Sequence, residues 1–150
     1  MKIFITGVAG FLGSHLAERM LNIGHDVSGN DNLIGSDLEN VNKKIKFFKT
    51  DCNDLDGMVK ITKDCDIVYH CAATAHEGLS VFSPHIITNN IFQASVSVIT
   101  AAIKNKVKRF IYCSSMARYG SQKPPFTEEM NPSPEDPYAV AKVAGENILK

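Results

Sequence analysis

Two residues near the end of the sequence, Tyr138 and Lys142, stand four apart in Tyr138-Ala-Val-Ala-Lys142. On a helix that spacing puts both side chains on one face. An unperturbed tyrosine titrates at about 10, too high for a base at neutral pH. A neighbouring ammonium stabilises the phenolate and brings that value down. Such a pair can take a proton from a hydroxyl while hydride leaves the carbon that carries it. A helix surface can also present Tyr and Lys at this spacing with no chemical role. Upstream, Phe110-Ile-Tyr-Cys-Ser-Ser115 ends an apolar run in two hydroxyls. A hydroxyl there can bond a reacting oxygen and guide the proton, or it can make a local turn bond.

The other chemical signal is at the start. Thr6-Gly7-Val8-Ala9-Gly10-Phe11-Leu12-Gly13 has the glycine spacing G-x-x-G-x-x-G. It follows an apolar run at residues 2–6 and opens a stretch in which Leu12, Leu16 and Met20 recur at helical spacing. A strand, a glycine turn and a helix in that order suit a pyrophosphate: the turn brings backbone close, and the helix N-terminus offers free N–H groups. Asp31 stands eighteen residues after Gly13. A carboxylate there accepts both ribose hydroxyls of an adenosine and repels a 2′-phosphate, which favours NAD over NADP. In Gly-Asn-Asp-Asn it also fits an ordinary solvated turn. Asp51 and Asp54 form a second acidic site, which an ordinary helix N-cap explains equally well.

These groups need a scaffold. Residues 2–6, 26–31, 45–48, 67–72 and 110–114 read as strands. Residues 11–23, ended by Gly24, and 84–105 read as helices. Asp136 suits an N-cap with Pro137 at the first helical position, opening a helix to Lys150. Strands separated by helices pair in parallel through crossovers. The class is therefore α/β, a Rossmann-type doubly wound parallel sheet. Residues 120–137 hold five prolines and form a long loop. At 150 residues the prior is one domain, residues 1–150, with dinucleotide binding as its task.

Composition excludes some alternatives. Sixteen basic residues balance sixteen acidic ones, so no global field favours nucleic acid or a membrane surface. The apolar start is broken by Thr6, Gly7, Gly10 and Gly13, unlike a secretory signal. No run of about 18 apolar residues reads as a membrane span. The four cysteines, Cys52, Cys65, Cys71 and Cys113, make no C-x-x-C pair and read as buried reduced thiols of a cytoplasmic protein. No metal-ligand spacing is present, and His76-Glu77 reads as a surface-loop pair.

Taken together, the motifs resemble the extended short-chain dehydrogenase/reductases, the NAD-dependent epimerase/dehydratase family. The matching pieces are residues 6–13, Asp31-Asn-Leu33, Asp51-Cys-Asn-Asp54, His70-Cys-Ala-Ala73, Ser114-Ser-Met-Ala-Arg-Tyr-Gly120 and Tyr138-Ala-Val-Ala-Lys142. The resemblance implies that Gly7, Gly10, Phe11, Leu12 and Gly13 cradle the pyrophosphate of NAD. It places Asp31 and Asn32 at the adenosine ribose, and Asp51 and Cys52 at the adenine edge. Cys71, Ala72 and Ala73 line the cofactor. Tyr138 corresponds to the general base, Lys142 to its partner and a nicotinamide-ribose ligand, and Ser115 to the third catalytic hydroxyl.

Departures from the family narrow the implied chemistry. Sugar dehydratases of this kind carry Asp-Glu after the catalytic hydroxyl, where this sequence has Met116-Ala117. The implied activity is a nucleotide-sugar epimerase, acting at C4 of a UDP-sugar by transient oxidation to a ketone and re-reduction. A ketoreductase of small carbonyls and a non-catalytic dinucleotide-binding module are the alternatives. Arg118 stands where the family has valine, and Asn90-Ile-Phe-Gln-Ala-Ser95 carries one residue more than the family's corresponding helix. Family members continue into further strands and a substrate-binding part and form homodimers. The expectation for these 150 residues alone is weak NAD binding, no turnover and self-association through an exposed fifth strand.

Overall fold

The computed structural model describes all residues, Met1–Lys150. Five strands, β1 (Lys2–Thr6), β2 (Asp26–Asp31), β3 (Lys46–Lys49), β4 (Ile67–His70) and β5 (Arg109–Tyr112), form one sheet in the order β3-β2-β1-β4-β5. Every pairing is parallel. The helices are α1 (Phe11–Asn22), α2 (Leu55–Ile61), α3 (Pro84–Ile87), α4 (Ala94–Lys104) and α5 (Pro137–Ile148). The expected doubly wound α/β architecture is present. The order reverses between β1 and β4, and a crevice opens beyond the carboxyl ends of strands at such a point.

The period-2 alternation of β1 distributes the core. Ile3 and Ile5 join Val8, Ala17 and Val27 on the α1 side. Phe4 joins Met58, Val68, Ala94, Val98 and Ala101 on the side of α2 and α4. A third cluster of Ile87, Ile91, Ala117, Tyr138, Ala139 and Ala141 seats α5.

Helix ends follow local chemistry. At the end of α1, Gly24 takes φ +85°. Its N–H donates to Leu21 O at 3.0 Å, and the His25 N–H donates to Met20 O at 3.1 Å. That pair of bonds is a Schellman motif, in which glycine carries the left-handed residue at no steric cost. Asp136 caps α5 by accepting from Ala139 N–H at 2.9 Å, with Pro137 at the first position. Asp54 caps α2 by accepting from Gly57 N–H at 3.0 Å. Of the two acidic residues left ambiguous by the sequence, Asp54 is therefore the helix cap.

Three expectations are corrected. The fourth and fifth strands stop at His70 and Tyr112, short of the expected residues 72 and 114. The expected helix 84–105 is not uniformly α-helical: residues Thr88–Gln93 between α3 and α4 form a π-helical turn. Residues Pro84–Lys104 are also long and apolar enough, by length and composition, to cross a membrane, and half of that stretch is buried within this fold. Finally, only Cys52 is buried, while Cys65, Cys71 and Cys113 are half-buried.

Candidate active site

The glycine turn joins β1 to α1. Gly7 has φ +68°, and a Cβ there would lie 2.8 Å from the Ala72 backbone. A Cβ on Gly13 would lie 2.1 Å from Gly7 O. Both positions demand glycine, for conformation in the first case and for close approach of helix and turn in the second. No side chain caps the N-terminus of α1. Helix geometry leaves its first N–H groups without helical partners, a ready site for an anion. Phe11 and Leu12 sit in this first turn with exposed side chains. Whatever they offer an anion is backbone N–H.

One cleft at the switch point is lined by Gly7, Gly10, Asp31, Asn32, Asp51, Cys52, Cys71, Ala72 and Ala73. Nine of the residues read as cofactor-binding in the sequence thus converge on one surface. Asp31 ends β2 and is 8% exposed. Its carboxylate accepts from Ala9 N–H at 3.1 Å, Leu33 N–H at 2.9 Å and Ser36 Oγ at 2.8 Å. It therefore ties the glycine turn to the loop after β2. Asn32 donates to Asp51 Oδ2 at 2.8 Å. Burial pushes the Asp51 carboxyl up, but hydrogen bonds from Asn53 and Asn32 outweigh it and hold the group below the usual range. Burial pushes the neighbouring Cys52 thiol up to about 11.

Asn30 was not singled out in the sequence, although it is a polar residue in a buried strand. It donates to Thr50 O at 2.8 Å, while its Oδ1 is buried and unpartnered. Asn53 Oδ1 is in the same condition. Both residues line the cleft. Unpaired buried acceptors are costly. They suit a ligand edge that donates, as adenosine does through its amine and hydroxyls. The uncapped helix, the glycine turn, Asp31 and these two acceptors together fit an adenine dinucleotide.

A hydrogen-bonded chain fixes the floor of the cleft. His70 is fully buried between Thr6 Oγ1, 2.7 Å from Nδ1, and Ser95 Oγ, 3.0 Å from Nε2. Ser95 spends its proton on Ile91 O, so it accepts from Nε2–H. Nδ1 then accepts from Thr6, whose oxygen also accepts from Ala72 N–H at 3.1 Å. Burial, with the Lys142 charge adding, pushes His70 down to about 3, consistent with this neutral tautomer. The role of His70 was not legible in the sequence, because its partners lie 64 and 25 residues away.

The catalytic candidates lie beside this floor. Tyr138 and Lys142 are 8% and 3% exposed. Lys142 Nζ donates to Cys113 O at 2.7 Å and lies 5.9 Å from the Tyr138 ring centre. Burial brings the Lys142 ammonium down to about 8, against an opposing effect of the Cys113 and Cys71 thiols. Ser115 opens a short 3₁₀ turn and accepts from Ala117 N–H at 3.2 Å. Ser114 instead donates to Glu146 on α5. Ser115, Tyr138 and Lys142 do not line the cleft itself. Lys142 connects to it through Cys113, whose sulphur is 3.6 Å from that of the lining residue Cys71.

The helix around Asn90 is interrupted by the π-helical turn Thr88–Gln93. Such turns occur mostly as single-turn bulges inside α-helices, frequently at functional sites. Ile91 and Ala94 keep core positions. Asn90 meanwhile lines the cleft and donates to Thr74 Oγ1 at 3.1 Å.

Comparison with known proteins agrees with this geometry. The profile of the NAD dependent epimerase/dehydratase family matches residues 3–150. A putative UDP-arabinose 4-epimerase of Arabidopsis thaliana is 33% identical over 98% of this chain and 36% of its own length. The crystal structure of UDP-glucose 4-epimerase from Thermotoga maritima, with UDP-glucose, superposes with TM-score 0.95 at 32% identity, over 99% of this chain and 50% of that one. The enzyme from Thermus thermophilus, in complex with NAD, gives TM-score 0.94 at 30% identity, again over 99% and 50%. The chain thus spans half or less of the length of these relatives.

Proposed function

This chain belongs to the NAD dependent epimerase/dehydratase family, its cofactor is NAD, and we propose that it acts as an epimerase on C4 of a UDP-sugar. The observation that carries the reading is the buried Tyr138–Lys142 pair, anchored on Cys113 O beside a cleft built for an adenine dinucleotide. Relatives are named for several UDP-sugars, among them UDP-arabinose and UDP-glucose, and share the 4-epimerase description.

Gly7, Gly10 and the first turn of α1 hold the pyrophosphate of NAD, with Asp31 and Asn32 at the ribose and Asp51 and Cys52 at the adenine. Bound there, NAD supplies a hydride acceptor that can return the hydride. Tyr138 Oη takes the proton of the substrate hydroxyl and later gives it back. The Lys142 ammonium stabilises the phenolate between those steps. Ser115 Oγ orients the reacting oxygen. Met116 and Ala117, directly after Ser115, supply no acid or base for loss of water.

The test is product analysis by NMR after incubation of the full-length protein with UDP-glucose or UDP-N-acetylglucosamine and NAD. An epimer should appear with no net change in the cofactor. Consumption of NADH in proportion to product would identify a reductase instead. Tyr138→Phe should retain NAD binding and lose about 10²–10⁴-fold in turnover. Near-normal turnover in that variant would place the base elsewhere.

A further inference from the structure

Cys71 and Cys113 follow directly on the last residues of β4 and β5. These strands are parallel neighbours, registered His70 against Tyr112. The next pair in that register is Cys71 against Cys113, and the Cys113 N–H still donates to His70 O at 3.2 Å. Neighbouring strands lie about 4.8 Å apart, inside the range of about 4.4–6.8 Å that disulfides span between Cα atoms. The two sulphurs already share a hydrogen bond at 3.6 Å. Both residues are half-buried, and Cys71 lines the open cleft.

The surroundings favour reaction at this pair over the other two thiols. The hydrogen bond shared with Cys71, against burial and with the Lys142 charge, brings Cys113 down to about 7. The same bond pushes Cys71 up. The first proton therefore leaves readily, and a thiolate is the reactive form. Cys52 is buried, and burial pushes both Cys52 and Cys65 up.

We propose that Cys71 and Cys113 form a dithiol modification site, which a hydroperoxide oxidises to a disulfide across the floor of the cleft. The thiolate attacks one peroxide oxygen, so that an S–O bond forms, the O–O bond breaks, and the leaving hydroxide takes up a proton as water. The second sulphur then attacks the sulfenic sulphur. The S–S bond forms, the S–O bond breaks, and the hydroxide leaves as water with the second thiol's proton. Two thiols are oxidised by two electrons and one hydrogen peroxide is reduced to two waters. A thiol reductant reverses the modification. The site does not depend on which molecule the cleft binds.

The experiment treats the purified native chain with hydrogen peroxide, blocks residual thiols with iodoacetamide, and maps peptides by mass spectrometry. The expected product has lost two hydrogens, leaves two of the four cysteines alkylated, and yields one dithiothreitol-sensitive peptide pair joining Cys71 to Cys113. Cys71→Ser should abolish the cross-link and leave a dimedone-reactive sulfenic acid at Cys113. A link through Cys52 or Cys65 would overturn the proposal. So would oxygen addition at single cysteines in the wild type without any link, or no reaction at peroxide levels that oxidise free glutathione.

Discussion

The Arg118 guanidinium lies 3.0 Å from Glu146 Oε1, with the two side chains only 17% and 19% exposed. The same carboxylate oxygen accepts from Ser114 Oγ. Arg118 also donates to Tyr119 Oη at 2.9 Å and stacks over that ring. Glu146 is four residues beyond Lys142 and eight beyond Tyr138, so all three share one face of α5. Arg118 thus finds a partner on the helix that bears Tyr138 and Lys142, and it fastens the turn after β5 to that helix.

Removing one member should leave the other half-buried and uncompensated. Arg118→Leu and Glu146→Gln should each cost about 1–3 kcal/mol. The double variant should cost clearly less than their sum. Urea denaturation of the four proteins in the cycle measures the coupling, and strict additivity would remove the ion pair from the account of α5 positioning.

His70 makes stability depend on acid. Its folded value is pushed down to about 3, while the unfolded chain titrates near 6.5. Between those values the unfolded state binds the proton and the folded state does not. The stabilising balance is therefore complete above about 6.5 and is lost as pH falls towards 3, by up to about 1.4 kcal/mol per unit. Comparing wild type with His70→Gln in denaturant at pH 7 and pH 5 isolates this group from the carboxylates. Parallel losses in both proteins would show that His70 does not carry the dependence.

The glycines separate space from conformation. A Cβ at Gly13 meets Gly7 O at 2.1 Å, whereas one at Gly24, with φ +85°, meets nothing within 4 Å. Gly24→Ala should cost about 1–2 kcal/mol, the price of a left-handed residue alone. Gly13→Ala should cost more and weaken NAD binding, because the helix must retreat from the turn. Thermal melts with and without NAD compare them, and equal losses in the two variants would contradict the steric argument.

Asp31 should select the cofactor. Its carboxylate is buried at the end of β2 and lines the cleft, where a 2′-phosphate would meet like charge. Calorimetry should find NAD bound more tightly than NADP, with the gap narrowed in Asp31→Ser. Equal affinities in the wild type would take Asp31 away from the ribose.

What the sequence by itself determined is what depends on near neighbours along the chain. The glycine turn, the left-handed Gly24, the Asp136–Pro137 start of α5 and the shared face of Tyr138 and Lys142 each rest on residues within one or two turns, where backbone sterics and capping decide the outcome. The doubly wound parallel architecture also followed, because handedness leaves few topologies. Tertiary structure decided the rest. Strand ends were misread because apolar content runs past the last ladder bond: Ala72 N–H already belongs to Thr6 Oγ1. The π-helical turn around Asn90 carries no local signal and forms where Ile91 and Ala94 both reach the core. Arg118 met Glu146, Lys142 met Cys113 O, and Cys71 met Cys113 across 42 residues of chain. Parallel pairing of β4 with β5 brings the two cysteines together and the docking of α5 brings the other two pairs, both set by burial rather than by any local signal.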